Sequence, residues 1–413
     1  MRGLKVWRKG LCLARHWGCP QSPRLASIVS KRSLSHMLLF LLGILLIPAV
    51  KAALPVPPPP EVSASSYVLY EPLSGTFLLD YRADERLPPA SLTKIMTSYV
   101  IASELKRGTI TLDNMVPISV KAWRQEGSRM FVREGTQVAV DDLINGIIVQ
   151  SGNDASVAMA EYIAGTEEAF AELMNEYARS IGLKNTNYSN ATGLPAADHY
   201  TTARDLALLT KVMISDFPRH YARYQTKEFT YNDISQKNRN LLLWRDDSVD
   251  GVKTGHTEDA GYCLVSSALR DGMRLISVVM GTGSTQARAV ESQKLLKYGF
   301  RSFEVIQPYK ALVKVHEQEI WMGAQPVIAM GLAEDLVMTV PRGRADDISS
   351  DINVDSIIKA PIEQGQVMGS LELTIDGERM ANRQLVALQA VESGGIFLRL
   401  WHWIYLKFIE LMT

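Results

Sequence analysis

Pro89-Ala-Ser-Leu-Thr-Lys-Ile-Met-Thr97 places a serine and a lysine three residues apart, where a helical pattern begins. Leu87-Pro-Pro-Ala leads into it, and the pattern runs from about Ala90 to Leu105 before Gly108 stops it. Residues three apart on a helix share a face, so Lys94 can reach Ser91. A seryl hydroxyl is a poor nucleophile at its own pKa and needs a base within hydrogen-bond reach. Lysine serves as that base in Ser-Lys variants of the catalytic triad. It must be neutral to do so, which requires burial or a neighbouring cation, and Lys253 is the candidate cation. The helix start also favours negative charge developing on the seryl oxygen.

Two further motifs follow in order. Ser151-Gly-Asn153 comes after the apolar run Leu143–Val149, and Lys253-Thr-Gly255 precedes a strand-like segment. Alone, each is an ordinary turn sequence. Even Ser-x-x-Lys recurs, at Ser356-Ile-Ile-Lys359, where no companion motif accompanies it and chance is the sufficient reading. The ordered set of three, in compatible surroundings, describes a Ser-Lys acyl-transfer site.

Around these motifs the periodicity changes twice. Ser66–Tyr70 and Gly75–Asp80 read as an opening hairpin, and helices are expected at Val140–Val149, Asn153–Ala164 and Glu167–Ile181. Thr202-Ala-Arg-Asp205 resembles a capping box opening a helix to about Ser215. Strands dominate from Val249 to Met280, and Glu291–Tyr298 is again helical. Beyond about Pro308, short alternating segments separated by Gly, Pro and Asp read as a small all-β domain ending near Ala390. The last stretch, Gly394–Thr413, is amphipathic with tryptophans and cations, a pattern that suits a membrane surface. The expected division is residues 1–52 as a signal peptide, 53–65 as a Pro-rich linker and 66–305 as a peptidase domain. A β-rich domain at 306–392 and an amphipathic helix at 393–413 follow.

The signal-peptide reading rests on the run Leu38–Ile47, too short to span a bilayer, with Lys31 and Arg32 before it and Val50-Lys-Ala52 after it. The first 51 residues contain about nine Lys or Arg and no Asp or Glu, so the rest of this formally neutral chain is acidic. An acidic body argues against a nucleic-acid partner. Cys12 and Cys19 fall in the leader, and the remaining Cys263 reads as a small buried apolar residue. The seven histidines show no ligand spacing, so no metal or other cofactor is expected.

At these residues the chain resembles the D-alanyl-D-alanine carboxypeptidases, the low-molecular-mass penicillin-binding proteins. The middle motif with glycine is shared with them, as are Asn190-Ala-Thr-Gly-Leu-Pro195, Val249–His256 and Glu291-Ser-Gln-Lys-Leu-Leu296. The resemblance implies an α/β (α+β) β-lactamase/DD-peptidase-like domain, an antiparallel sheet flanked by helices. A small all-β sandwich-like domain and a C-terminal amphipathic helix would follow it.

It further implies that Ser91 attacks the carbonyl between two terminal D-alanines of a peptidoglycan stem pentapeptide while Lys94 takes its proton. Ser151 and Lys253 would relay a proton to the departing D-alanine, and Asn153 would hold the substrate amide and Lys94. Backbone N–H groups of Ser91 and His256 would form the oxyanion hole. Thr254 and Gly255 would align the substrate. Arg239 and Arg288 match family arginines near the substrate carboxylate, with Arg288 the favoured ligand because guanidinium binds carboxylate in a fork. β-Lactams would acylate the same serine.

The implied location is the periplasmic face of the bacterial inner membrane. Three rival functions fit parts of the same pattern. A β-lactamase would need a glutamate for deacylation, and only Glu172-Leu-Met-Asn175 offers one, on a helix face that reads as solvated. A DD-endopeptidase would share the nucleophile and the fold. A non-catalytic wall-binding protein would keep the fold without needing the intact motifs.

Overall fold

The computed structural model describes residues 56–412; the signal-peptide reading, with Cys12 and Cys19, lies outside them. A five-stranded antiparallel sheet forms the first unit. Its strands are β1 (Ser66–Glu71), β2 (Thr76–Tyr81), β7 (Val249–Thr257), β8 (Gly261–Arg270) and β9 (Met273–Thr282), in the order β2-β1-β9-β8-β7. Between β2 and β7 lie two small hairpins, β3 (Met115–Pro117) with β4 (Gln137–Ala139) and β5 (Glu228–Tyr231) with β6 (Ile234–Lys237).

Strand alternation explains why both faces are covered. In β9, Leu275 and Val279 face a core shared with Leu295 and Leu296 of the helix Thr285–Ser302. Ile276, Val278 and Met280 face the opposite core. That second layer is built from α1 (Lys94–Arg107), α2 (Asn153–Ala164), α3 (Glu167–Ile181) and α4 (Ala203–Asp216). Cys263 is buried in β8, where burial pushes its thiol up to about 11, as suits a packing residue.

The helix ends follow their capping residues. Gly108 and Gly182 close α1 and α3 in the left-handed conformation, and the Thr202 hydroxyl accepts from Asp205 N–H at the start of α4. The reciprocal half of the expected capping box is not formed. The Asp205 carboxylate instead accepts from Asn185 N–H and the Thr186 hydroxyl. The expected helix Val140–Val149 is α-helical only to Asn145, and Gly146–Gln150 widens into a π turn that delivers Ser151.

After the helix Thr285–Ser302, β10 (Phe303–Tyr309) pairs with β13 (Leu336–Pro341). A six-stranded sheet comprises β11 (Lys314–Trp321), β12 (Val327–Leu332), β14 (Ser349–Val354), β15 (Ile358–Lys359), β16 (Val367–Ile375) and β17 (Glu378–Ala387). These strands enclose their own apolar core around Ile328, Met330, Leu371 and Leu385. The helix Ile396–Met412 ends the described chain.

Candidate active site

Pro88 and Pro89 prevent a regular helix before Ser91. The expected helix start at Ala90 is instead a 3-10 turn, Ala90–Thr93, and α-helical bonding begins at Lys94. Ala90 has φ +47, a left-handed conformation that is strained for a residue with a Cβ. Two glycines let other backbone press against this turn. A Cβ on Gly193 would lie 1.8 Å from the Ala90 carbonyl oxygen, and one on Gly255 would lie 3.1 Å from that of Pro89.

Lys94 is completely buried. Its Nζ stands 3.1 Å from Ser91 Oγ and donates to Asn153 Oδ1 at 2.7 Å and to the Thr192 carbonyl. Burial, then the charge of Arg239, bring its pKa down to about 7, although Asp154 and Glu167 pull it upward. Arg239 therefore acts on Lys94 as a cation, and Lys94 and the expected Lys253 also repel one another. Lys253, also buried, is itself held well below the ordinary lysine value by desolvation, then by Lys94, Arg239 and Arg288.

Ser151 sits at the end of the π turn with φ +65. Its Oγ is buried and has no hydrogen-bond partner among the described residues. Asn153 opens α2, and its Nδ2 donates to the Glu126 carbonyl at 2.6 Å. The neighbouring Asp154 carboxylate accepts from the backbone N–H groups of Met130, Phe131 and Val132 at 2.9–3.2 Å. One buried carboxylate thereby fixes the loop that forms one wall of the cleft.

The cleft, of about 650 Å³, is lined by Ser91, Ser151, Thr254, Gly255, His256, Arg239 and Arg288, with Ser128 and Tyr262 among the others. Among the described residues no Asp or Glu lines it, whereas Arg239 and Arg288 do, so it favours an anionic ligand. Arg288 is buried, donates to the Gly255 carbonyl at 3.0 Å and is brought down to about 10 by burial. Arg239 stands exposed at the mouth and donates to Ser128 Oγ at 2.7 Å. The His256 ring lies 4.0 Å from that of Tyr262.

Seven of the ten sequence-derived positions line this cleft. Lys94 and Asn153 lie behind Ser91, joined to it by hydrogen bonds, and the buried Lys253 Nζ donates to the Thr254 carbonyl at 3.2 Å. Sequence reasoning missed Thr192, Ser128 and Asp154. Thr192 acts through its carbonyl, which no side-chain pattern advertises, even though Asn190–Pro195 is family-like sequence. There Asn190 Oδ1 accepts from Thr192 and Gly193 N–H, the turn geometry that aims the Thr192 carbonyl.

A buried lysine on a serine hydroxyl, beside an antiparallel sheet wrapped by helices, defines a serine acyl-transfer hydrolase. Residues 53–284 match the family model described as D-alanyl-D-alanine carboxypeptidase, and residues 303–393 match the C-terminal domain of penicillin-binding protein 5. D-alanyl-D-alanine carboxypeptidase DacC of Escherichia coli (strain K12) is 43% identical over 357 residues, 84% of this chain and 89% of the relative. DacA of Haemophilus influenzae is 43% identical over 84% of this chain and 90% of its own. Among solved structures, penicillin binding protein 5 from Haemophilus influenzae superposes with a TM-score of 0.78 at 42% identity, covering 82% of this chain and all of the other. The chain belongs to the D-alanyl-D-alanine carboxypeptidase family.

Proposed function

We propose that this D-alanyl-D-alanine carboxypeptidase works through a seryl acyl-enzyme, with Ser91 as nucleophile and Lys94 as its base. The carrying observation is the set of partners around Lys94 Nζ. A neutral amine has two hydrogens and one lone pair. Asn153 Oδ1 and the Thr192 carbonyl can only accept, so they take both hydrogens. The lone pair is left facing the Ser91 hydroxyl, which then donates to it.

Ser91 Oγ attacks the carbonyl between the two terminal D-alanines of a peptidoglycan pentapeptide stem, and its proton passes to Lys94. Backbone N–H groups of Ser91 and His256 hold the oxyanion, each donor contributing on the order of 3 kcal/mol. Ser151 Oγ, uncommitted to any other partner among the described residues, relays a proton with Lys253 to the leaving amine. Asn153 keeps one Nδ2 hydrogen for the substrate amide, and Thr254 and Gly255 align the peptide along β7. Arg288, with Arg239 at the mouth, receives the terminal carboxylate. Water then hydrolyses the acyl-enzyme.

β-Lactams carry a reactive carbonyl and a carboxylate in a similar relation, so they acylate Ser91. Penicillin-binding protein D2 from Listeria monocytogenes, 28% identical and with a TM-score of 0.55, has been solved in an ampicillin-bound form. The pair considered for a β-lactamase does not face the cleft as that activity needs: Glu172 is exposed, and Asn175 is occupied by the Tyr188 backbone.

The domain division is part of the same reading, with the peptidase and β-rich units meeting near Phe303. So is export through the N-terminal leader to the periplasmic face of the inner membrane. Among the described residues no helix is long and apolar enough to cross a membrane. In the helix Ile396–Met412, Phe397, Leu400, Trp401, Ile404, Phe408 and Leu411 are exposed at spacings of three and four. The opposite side is tied to the β-rich unit, where His402 Nδ1 accepts from Met322 N–H and Tyr405 stacks on Trp321. That leaves an apolar face to lie in a bilayer interface.

Mass spectrometry of pentapeptide muropeptides tests the reaction: the product should be lighter by one D-alanine, and none should form with Ser91→Ala. Sustained penicillin turnover without D-alanine release would refute the reading.

A further inference from the structure

Beyond the cleft, β7 continues to Thr257, and a second pocket of about 250 Å³ opens beside that strand end and behind the Pro89–Ala90 turn. Its apolar walls include Leu87, Pro88, Leu194 and Pro195, and its charged lining residues are Arg86 and Asp259. Both charged residues are exposed. Asp259 has no hydrogen bond or ion pair among the described residues. Arg86 lies over the Tyr200 ring, 4.6 Å from its centroid, and donates to the Asn185 side-chain oxygen, without an ion-pair partner among the described residues. The other titratable ring beside them, His199, is buried and stays neutral, its pKa down at about 4 through burial and the Lys94 charge. A guanidinium and a carboxylate, neither neutralised by the protein, therefore line one small pocket.

The direction of the substrate chain puts this pocket upstream of the cut bond. The proposed mechanism anchors the terminal carboxylate at Arg288 and Arg239, near Thr254, and the reacting carbonyl at Ser91 and His256. A peptide extended along β7 advances about 3.3 Å per residue, so the residue before the two D-alanines arrives beside Thr257. In peptidoglycan stems that residue is a diamino acid. Its side chain ends either in an ammonium alone or in an ammonium and a carboxylate on one carbon.

We infer that the pocket between Arg86 and Asp259 is a specificity subsite for the zwitterionic end of that diamino acid, with Asp259 taking the ammonium and Arg86 the carboxylate. The apolar walls accommodate the methylene stem. The inference rests on the carboxypeptidase reading and goes further by naming the stem the enzyme prefers.

The test is steady-state D-alanine release from three peptides ending in D-Ala-D-Ala, preceded by meso-diaminopimelate, by lysine with a free side-chain amine, or by side-chain-acetylated lysine. With the full mature chain, kcat/KM should fall in that order, by about two- to fivefold at each step, as expected for exposed ion pairs. Asp259→Asn should collapse the difference between free and acetylated lysine. Arg86→Gln should collapse the difference between diaminopimelate and free lysine. A preference that survives both substitutions, or three equal rates in the unaltered enzyme, would overturn the subsite. If the unaltered enzyme releases D-alanine from none of the three while still labelling with penicillin, the carboxypeptidase reading fails and the subsite falls with it.

Discussion

The chain contains the pattern Ser-x-x-Lys twice, and the two copies differ in everything except their letters. Ser91 and Lys94 lie in a turn leading into a helix, with the lysine wholly buried and its nitrogen enclosed by three oxygens. Ser356 and Lys359 lie at a bend and the two-residue strand β15, and both are exposed. No hydrogen bond joins the second pair. A lysine in water keeps its proton and is no base, so reactivity here comes from what surrounds the pattern.

That contrast can be broken most directly at the serines. Ser91→Ala should abolish D-alanine release and covalent labelling by fluorescent penicillin, a loss of roughly 10⁴-fold or more. Ser356→Ala should leave both at the original level, and labelling that moved with Ser356 would reverse the assignment. Next come the lysines. Lys94→Gln should slow acylation by about 10² to 10⁴, the usual range for loss of a general base, while Lys359→Gln should not change it.

The pH dependence sharpens the same contrast. With Lys94 at about 7, acylation should climb nearly tenfold per pH unit below that value and level off above it. Stability has a definite sign as well. The unfolded chain keeps the Lys94 proton up to about 10.5, whereas the folded chain releases it near 7. Between those values the unfolded state binds more protons, so folding stability rises with pH across that window. Denaturant melts of Lys94→Met should show a flatter pH profile, and a slope unchanged from the original chain would contradict the lowered pKa.

The smallest contrast lies in two glycines, Gly193 and Gly365, both at positive φ. Gly365→Ala, with open space around its Cβ, should cost about 1 kcal/mol of backbone strain. Gly193→Ala adds a collision with the Ala90 carbonyl and should cost several times more by chemical denaturation.

Most of the architecture was legible because its signals are local. The caps at Gly108, Gly182 and Thr202 fixed helix ends, and alternation fixed the strands. The three motifs and their neighbours named ten residues, seven of which line one cleft. What could not be read were interactions carried by backbone or by distance. The Thr192 carbonyl has no letter of its own. The π turn before Ser151 and the 3-10 turn at Ala90 break a helical period that the residues continue. That Arg239 acts on Lys94 depends on a proximity, between residues far apart in the chain, that no spacing encodes.

The cleft draws on segments from Ser91 to Arg288, and the strand that closes it, β7, enters the sheet beside β8 only after most of the domain has been made. A nascent or truncated chain lacking that strand has the nucleophile but no site. Penicillin labelling should therefore be confined to molecules in which β7 is in place. In a refolding experiment, the antibiotic should double as a reporter of finished protein, separating folded molecules from everything still assembling.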